Sequence, residues 1–181
     1  KATVAADGTY VIGGLSAAAY TLRLSTDSSA AIGASAPTAS LPTGWVNTGE
    51  NKNGVTETTT PGEIAVTLST SNITNQNFGI EQLPDTNAVT SATIPNSNGD
   101  TSLASTPLAG TDPDGSVASF KIVTIPPASE GVLKWDNDNN AATPPIAVSA
   151  GQTIPLASAN KLFFDPAPTF IGDATFTYAA I

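Results

Sequence analysis

The sequence contains no cysteine, no methionine and no histidine. These absences exclude disulfides, thiol nucleophiles and Ser/His-type triads, and they remove the usual ligands of zinc and iron. Most familiar catalytic chemistry therefore has no residues to carry it. The missing cysteine indicates no compartment by itself, because exported and cytosolic proteins can both lack thiols.

Charge is also scarce, and most of it has one sign. Charged residues make up 12% of the chain, with 15 Asp and Glu against 6 Lys and Arg, which gives a formal net charge of −9. The sequence has no basic cluster, so nucleic acid is not an expected partner, since phosphate binding requires a positive surface. An acidic surface favours solubility and attracts divalent cations.

Long hydrophobic runs are missing as well, because no segment approaches the roughly 18 apolar residues of a membrane span. The chain opens at Lys1 within a polar, strand-like run and stops at Ile181 within an alternating pattern. We therefore expect it to be a fragment of a longer chain.

The sequence does contain turn residues over its whole length, with 15 Gly and 14 Pro. Between them apolar residues alternate with polar ones, which predicts half-buried strands. The alternating sets are Tyr20/Leu22/Leu24, Ile64/Val66/Leu68, Phe120/Ile122, Leu133/Trp135, Leu162/Phe164 and Phe176/Tyr178. Helical periodicity is poor, and only the alanine-rich segment 28–39 is ambiguous, since a short helical turn and a loop both fit it.

The segment 81–85 is the best candidate for a boundary. A strand ending at Ile80 meets Pro84 there, and proline cannot continue a hydrogen-bonded ladder. Because β-sandwich modules have roughly 100 residues each, we predict two modules, residues 1–82 and 83–181. The two halves do not align with each other as repeats, so we expect different module families.

The first half contains an ordered set of short motifs: Asp7-Gly8-Thr9-Tyr10, Gly14-Leu15, Tyr20-Thr21-Leu22, Leu41-Pro42-Thr43-Gly44-Trp45 and Asn77-Phe78-Gly79-Ile80. Asp-Gly predicts a tight turn before a strand led by Tyr10. Over residues 1–82 this order resembles the B-type (SdrD B-like, Cna B) repeats of bacterial surface adhesins. The first strands of that family would precede Lys1, so the resemblance implies an N-terminally truncated module.

The second half contains another set: Asp112-Pro113-Asp114-Gly115, Gly131-Val132-Leu133, Gly151-Gln152-Thr153-Ile154, Leu162-Phe163-Phe164, Phe170-Ile171-Gly172 and Phe176-Thr177-Tyr178. Over residues 85–181 it resembles the cadherin-like or Ig-like tandem repeats of giant bacterial cell-surface proteins, which are common in Bacteroidetes. Those repeats continue into one more strand, so the resemblance implies a C-terminally truncated module.

Together the two resemblances imply an all-β fold of two tandem antiparallel β-sandwich modules, Ig-like or prealbumin-like. They imply a non-catalytic stalk or adhesion segment of a large secreted bacterial protein, located extracellularly at the cell surface. The partners implied are neighbouring modules of the same long chain, other cell-surface proteins, and glycans.

Four aspartates are candidate ligands of Ca²⁺, the one cofactor that the sequence suggests: Asp112, Asp114, Asp136 and Asp138. The last two belong to Asp-Asn-Asp-Asn-Asn, which places oxygen donors at alternating positions. The run departs from the EF-hand template at Ala141 and Ala147, and a solvated hairpin tip is the alternative interpretation. The first two flank Pro113, where cadherin-like repeats share calcium near a module end and where a plain type I turn is the alternative.

Three other functions follow from specific features. A polymerising fibre subunit would accept a strand donated by a neighbouring chain. A carbohydrate-binding module would present an exposed aromatic pair, for which Trp45 and Trp135 are available. A glycoside hydrolase would need two carboxylates in a cleft, but nothing distinguishes Glu50, Glu57 and Glu63 from surface charge, and we predict no enzyme.

Overall fold

The structure is a computed structural model that describes residues 1–57, 60–97 and 99–181. The chain divides into two compact units, Lys1–Gln82 (unit 1) and Leu83–Ile181 (unit 2). The sheets of both units are antiparallel, which confirms the predicted all-β fold class. In the described part of the chain the helical structure is one 3₁₀ turn, Leu156–Ser158, and no helix is long and apolar enough to cross a membrane.

The strands follow one another at short intervals, as the turn residues predict. Unit 1 contains β1 (Ala18–Arg23), β2 (Trp45–Lys52), β3 (Val55–Glu57), β4 (Glu63–Leu68) and β5 (Gln76–Gln82). Unit 2 contains β6 (Asp85–Asn87), β7 (Thr101–Ser102), β8 (Ala109–Thr111), β9 (Ser119–Thr124), β10 (Gly131–Trp135), β11 (Ile146–Ala147), β12 (Thr153–Pro155), β13 (Leu162–Pro166) and β14 (Thr177–Ala180).

Unit 1 is built from two sheets, β1–β4 and β3–β2–β5. β1 and β4 pair over six residues each without a bulge. On one face of this pair Ile64 and Val66 are buried, and Leu22 and Tyr20 lie opposite them half-buried. Period-2 alternation thus gives the sheet one apolar face.

The strand predicted after the Asp7-Gly8 turn is wrong. The turn itself forms, with Gly8 at φ +82 and the Ala5 N–H donating to the Thr9 carbonyl at 2.8 Å. Residues 9–17 then pair with no strand among the described residues. Side chains hold this segment instead, because the Tyr10 hydroxyl donates to the Gln76 carbonyl at 2.6 Å.

The segment 28–39 is a loop with a single turn, in which the Ala34 N–H donates to the Ala31 carbonyl at 3.1 Å. The loop is closed at its base by two backbone hydrogen bonds. Leu24 N–H donates to the Gly62 carbonyl, and Ser40 N–H donates to the Leu24 carbonyl, both at 3.0 Å. We call the enclosed residues the 25–39 loop.

Unit 2 has sheets β11–β10–β13–β7 and β12–β9–β14, with β6–β8 as a third, two-stranded sheet. One hydrophobic cluster contains side chains from both larger sheets, so the two sheets pack as a sandwich. Its buried members are Leu108, Phe120, Ile122, Leu133, Val148, Ile154, Ala159, Leu162 and Ala180. Tyr178 packs against this cluster, and its ring meets that of Phe120 edge to face, with centroids 5.7 Å apart.

Candidate functional site

The loop 136–143 lies between β10 and β11 and contains two of the predicted calcium ligands. Asp136 Oδ1 accepts a hydrogen bond from the Asn139 N–H at 2.7 Å. Asp138 uses both carboxylate oxygens, since Oδ1 accepts the Asn140 N–H at 3.0 Å and Oδ2 accepts the Thr143 hydroxyl at 2.7 Å. These carboxylates therefore stabilise the loop that carries them.

The charges around this loop also favour a turn over a metal site. The Thr143 hydroxyl and then the Asn140 N–H hold the pKa of Asp138 below its ordinary value. Asn139 lies in the left-handed region at φ +54, and its Oδ1 accepts a hydrogen bond from the Lys161 ammonium. A positive charge thus contacts the loop and opposes binding of a cation.

The turn 112–115, between β8 and β9, carries the other two predicted ligands. Asp112 Oδ1 accepts the N–H groups of Asp114 at 3.3 Å and Gly115 at 3.0 Å. A Cβ on Gly115 would lie 2.7 Å from Asp112 Oδ2, so a larger residue there would require the carboxylate to shift. This bonding is that of an Asx turn, in which the side chain replaces a backbone acceptor.

The four predicted ligands therefore belong to two turns, each held by its own carboxylates. Within residues 1–57, 60–97 and 99–181, no group of three or more His, Cys, Asp or Glu side chains is arranged to hold a metal ion. Ca²⁺ takes roughly six to eight oxygen ligands, and its binding at these two turns stays a prediction.

Similarity to a known protein would be a second source of evidence on function. The chain was compared with protein-family models, curated proteins and solved structures, and it matches none. The resemblance to adhesin repeats and cadherin-like repeats stays a prediction. The functional argument consequently rests on the residues of this chain.

An ion triad on unit 2 was not predicted from the sequence. Lys134 Nζ lies 2.7 Å from Asp100 Oδ1 and 2.8 Å from Asp165 Oδ2, and all three side chains are half-buried. The hydrogen bond to Asp100, and after it the one to Asp165, raises the pKa of Lys134 above its ordinary value. The lysine is therefore a protonated cross-link between β10, β13 and the segment before β7, and its amine is no nucleophile at neutral pH.

Unit 1 contains a buried carboxylate, which corrects the prediction that Glu50 is surface charge. Glu50 is 2% exposed, and its Oε1 accepts the Gly62 N–H at 2.5 Å. Glu63 instead pairs with Arg23 at 2.7 Å on the partly exposed surface. The side chain of Glu57 lies outside the described part of the structure. A glutamate in an amphipathic strand looks like surface charge, so no sequence signal distinguished Glu50.

The aromatic residues do not form a sugar-binding platform. Trp135 is half-buried against the core cluster of unit 2, and Trp45 is half-buried at the start of β2 in unit 1. Every aromatic side chain in the described ranges is buried or half-buried. Ring stacking on a sugar requires an accessible ring face, so the aromatic residues favour core packing over carbohydrate binding.

Proposed function

We propose that this chain is a non-catalytic structural segment, a stalk or adhesion spacer, of a large secreted bacterial cell-surface protein. The observation that supports this most directly is the use of the turn carboxylates. Asp112, Asp136 and Asp138 all accept hydrogen bonds from their own turns. In a ligand-binding loop such groups would converge on a common point, whereas here each one stabilises local backbone.

The distribution of the core supports the same proposal. Each compact unit has its own antiparallel sheets, and the units follow each other directly in the chain. Sandwich units in series transmit tension through strands that are hydrogen-bonded side by side, and they place whatever follows them at a distance from the cell. The abundant Thr, Ser and Asn side chains keep the outer faces soluble without high charge.

Force spectroscopy on the whole chain, held by its two ends, tests this function. A spacer is expected to unfold in two separate events, with length gains of roughly 250 Å for unit 1 and roughly 300 Å for unit 2, from the extended length per residue. The same chain immobilised on glycan and surface-protein arrays is expected to bind nothing. Unfolding without measurable resistance, or saturable binding to one glycan class, would contradict the proposal.

A further inference from the structure

β1 has an outer edge with which no described strand pairs. Leu24 N–H donates to the Gly62 carbonyl, so Leu24 and Gly62 form a hydrogen-bonded pair of the antiparallel ladder. Because such pairs alternate along the ladder, the N–H and C=O groups of Ala19, Thr21 and Arg23 point away from β4. The described residues supply no backbone partner for these groups.

The two edges of the β1–β4 sheet are not equivalent. On β4, Ile64 and Val66 are 0% and 8% exposed and have little apolar surface left to bury. On β1, Tyr20 and Leu22 of the same apolar face remain half-exposed. An added strand would therefore bury apolar surface next to β1 and little next to β4.

β1 also lacks the devices that protect natural edge strands. Its sequence contains no proline and no lysine, and its pairing with β4 shows no bulge. The charged residue of the strand, Arg23, is held by Glu63 at 2.7 Å. Edge strands without such protection pair with further strands.

The sequence of β1 is complementary to itself. Consider an antiparallel pair of two β1 strands centred on Thr21. The three residues whose backbone N–H and C=O groups point away from β4 then lie opposite one another, with Thr21 opposite Thr21 and Ala19 opposite Arg23. On the apolar face Tyr20 lies opposite Leu22. No like charges oppose each other, and threonine pairs and aromatic–aliphatic pairs are favourable across strands.

We propose that β1 is a self-association surface, through which a second copy of this chain adds its own β1 across a two-fold axis. The result is a continuous four-stranded antiparallel sheet, β4–β1–β1–β4, with both copies otherwise unchanged. Since each chain carries a formal charge of −9, salt is expected to strengthen the dimer by screening. The proposal does not depend on the stalk function, because the edge is a property of unit 1 alone.

Sedimentation of the whole chain over a concentration series is the first test, with a monomer–dimer equilibrium as the expected result. Thr21→Pro removes the central outward N–H of β1 but no bond to β4, so it is expected to abolish the dimer. Ala65→Pro is the matched control. The N–H of Ala65 points away from β1, so its removal breaks no bond between the two strands and should leave the dimer intact. A parent chain that stays monomeric, or a dimer that survives Thr21→Pro, overturns the proposal.

Cross-linking gives a readout that does not depend on the stability of the proline variants. The chain has no cysteine, so Thr21→Cys introduces a single thiol at the proposed two-fold axis, where the facing Cα atoms of a hydrogen-bonded pair, about 5.5 Å apart, permit a disulfide. We expect rapid oxidation to covalent dimer for Thr21→Cys and none for Thr67→Cys on β4. Equal rates of covalent dimer formation for the two variants would rule out the two-fold pair.

Discussion

The buried carboxylate of Glu50 joins three parts of unit 1 at the scale of a single residue. The Gly62 N–H, which donates to this carboxylate, lies just before β4, and the Gly62 carbonyl accepts the Leu24 N–H. A Cβ on Gly62, which has φ +76, would lie 2.7 Å from Ala39 Cβ, so the close approach requires glycine. At the end of the β1–β4 ladder, the Glu50 carboxylate thus takes the place of a backbone carbonyl as the acceptor for the Gly62 N–H.

We expect Glu50→Ala to lower the free energy of unfolding of unit 1 by about 2 kcal/mol, because it leaves a buried N–H without an acceptor. Glu50→Gln keeps an acceptor oxygen and should cost clearly less. The chain has 2 Trp, so Trp45 fluorescence in a Trp135→Phe background reports urea unfolding of unit 1 alone. Equal losses for both substitutions would show that the Gly62 hydrogen bond is not the cause.

Asp138 provides a second prediction at this scale. Its pKa is lowered by the Thr143 hydroxyl and then by the Asn140 N–H. The contribution of this carboxylate to stability is therefore present above its unfolded pKa, about 3.9, and is lost as the pH falls through the lower folded value. Carboxyl ¹³C NMR should give a midpoint below the ordinary aspartate value in the parent chain and a higher midpoint in Thr143→Ala. An unchanged midpoint in Thr143→Ala would contradict the assignment.

At the scale of the strands, Gly131 fixes the approach of β10 to β13. It has φ +148, and a Cβ there would lie 2.4 Å from the Asp165 carbonyl oxygen and 2.9 Å from Pro166 Cα. These neighbours are backbone atoms of the paired strand, which cannot move without breaking the ladder. The position therefore accepts only glycine.

Gly131→Ala should destabilise unit 2 by about 2 to 3 kcal/mol through this clash and the strained φ. Gly99→Ala is the matched control in the same unit, because no atom lies within 4 Å of its added Cβ. Trp135 fluorescence in a Trp45→Phe background reports the urea unfolding of unit 2 in both alanine variants. If the two alanine variants unfold at the same urea concentration, the close approach of β10 and β13 is not limiting.

The sequence predicted most of the longer strands, because alternation reports which face of a strand is buried. The sets containing Ile64, Phe120 and Leu133 lie in β4, β9 and β10, and Tyr20 and Leu22 lie in β1, which ends one residue before Leu24. Strands of two or three residues, such as β7 and β11, are too short to show a period. The segment after Tyr10 has the composition of a strand but no partner in the described residues, and composition alone cannot supply a ladder.

The candidate site was predicted less well than the strands, for a similar reason. A run of Asp and Asn residues has the same composition whether its oxygens bind a cation or cap a turn. The difference lies in where the oxygens point, as the contact of Asp138 with Thr143 illustrates. Burial of Glu50 and the triad around Lys134 depend on residues far apart in the sequence, which single-sequence patterns do not report.

At the scale of the whole molecule, we expect calcium to leave the melting temperature of the chain unchanged. An ion that binds only the folded state stabilises it, and so raises the melting temperature, increasingly as its concentration exceeds its Kd. The Asp112 turn and the loop 136–143 already use their carboxylates internally, and Lys161 contacts the loop. The melting temperature of each unit should therefore be the same with and without millimolar Ca²⁺.

The control for this prediction is Asp138→Asn, which removes a carboxylate from the loop. A calcium-dependent rise in the melting temperature of the parent chain that is absent in Asp138→Asn would contradict the turn interpretation. A rise that Mg²⁺ or added salt reproduces would indicate screening of the net negative charge and not a specific site.

The 25–39 loop has a practical consequence for protein engineering. The hydrogen bonds of Leu24 with Gly62 and Ser40 close it at the base, and Ile32 near its turn is 90% exposed. Doubling the length of such a loop adds only about 0.6 kcal/mol of closure entropy. A foreign peptide inserted next to Gly33 should therefore be displayed outside unit 1, and Trp45 fluorescence should show an unchanged unfolding midpoint. The loop is the position of choice for an epitope or a fluorescent label.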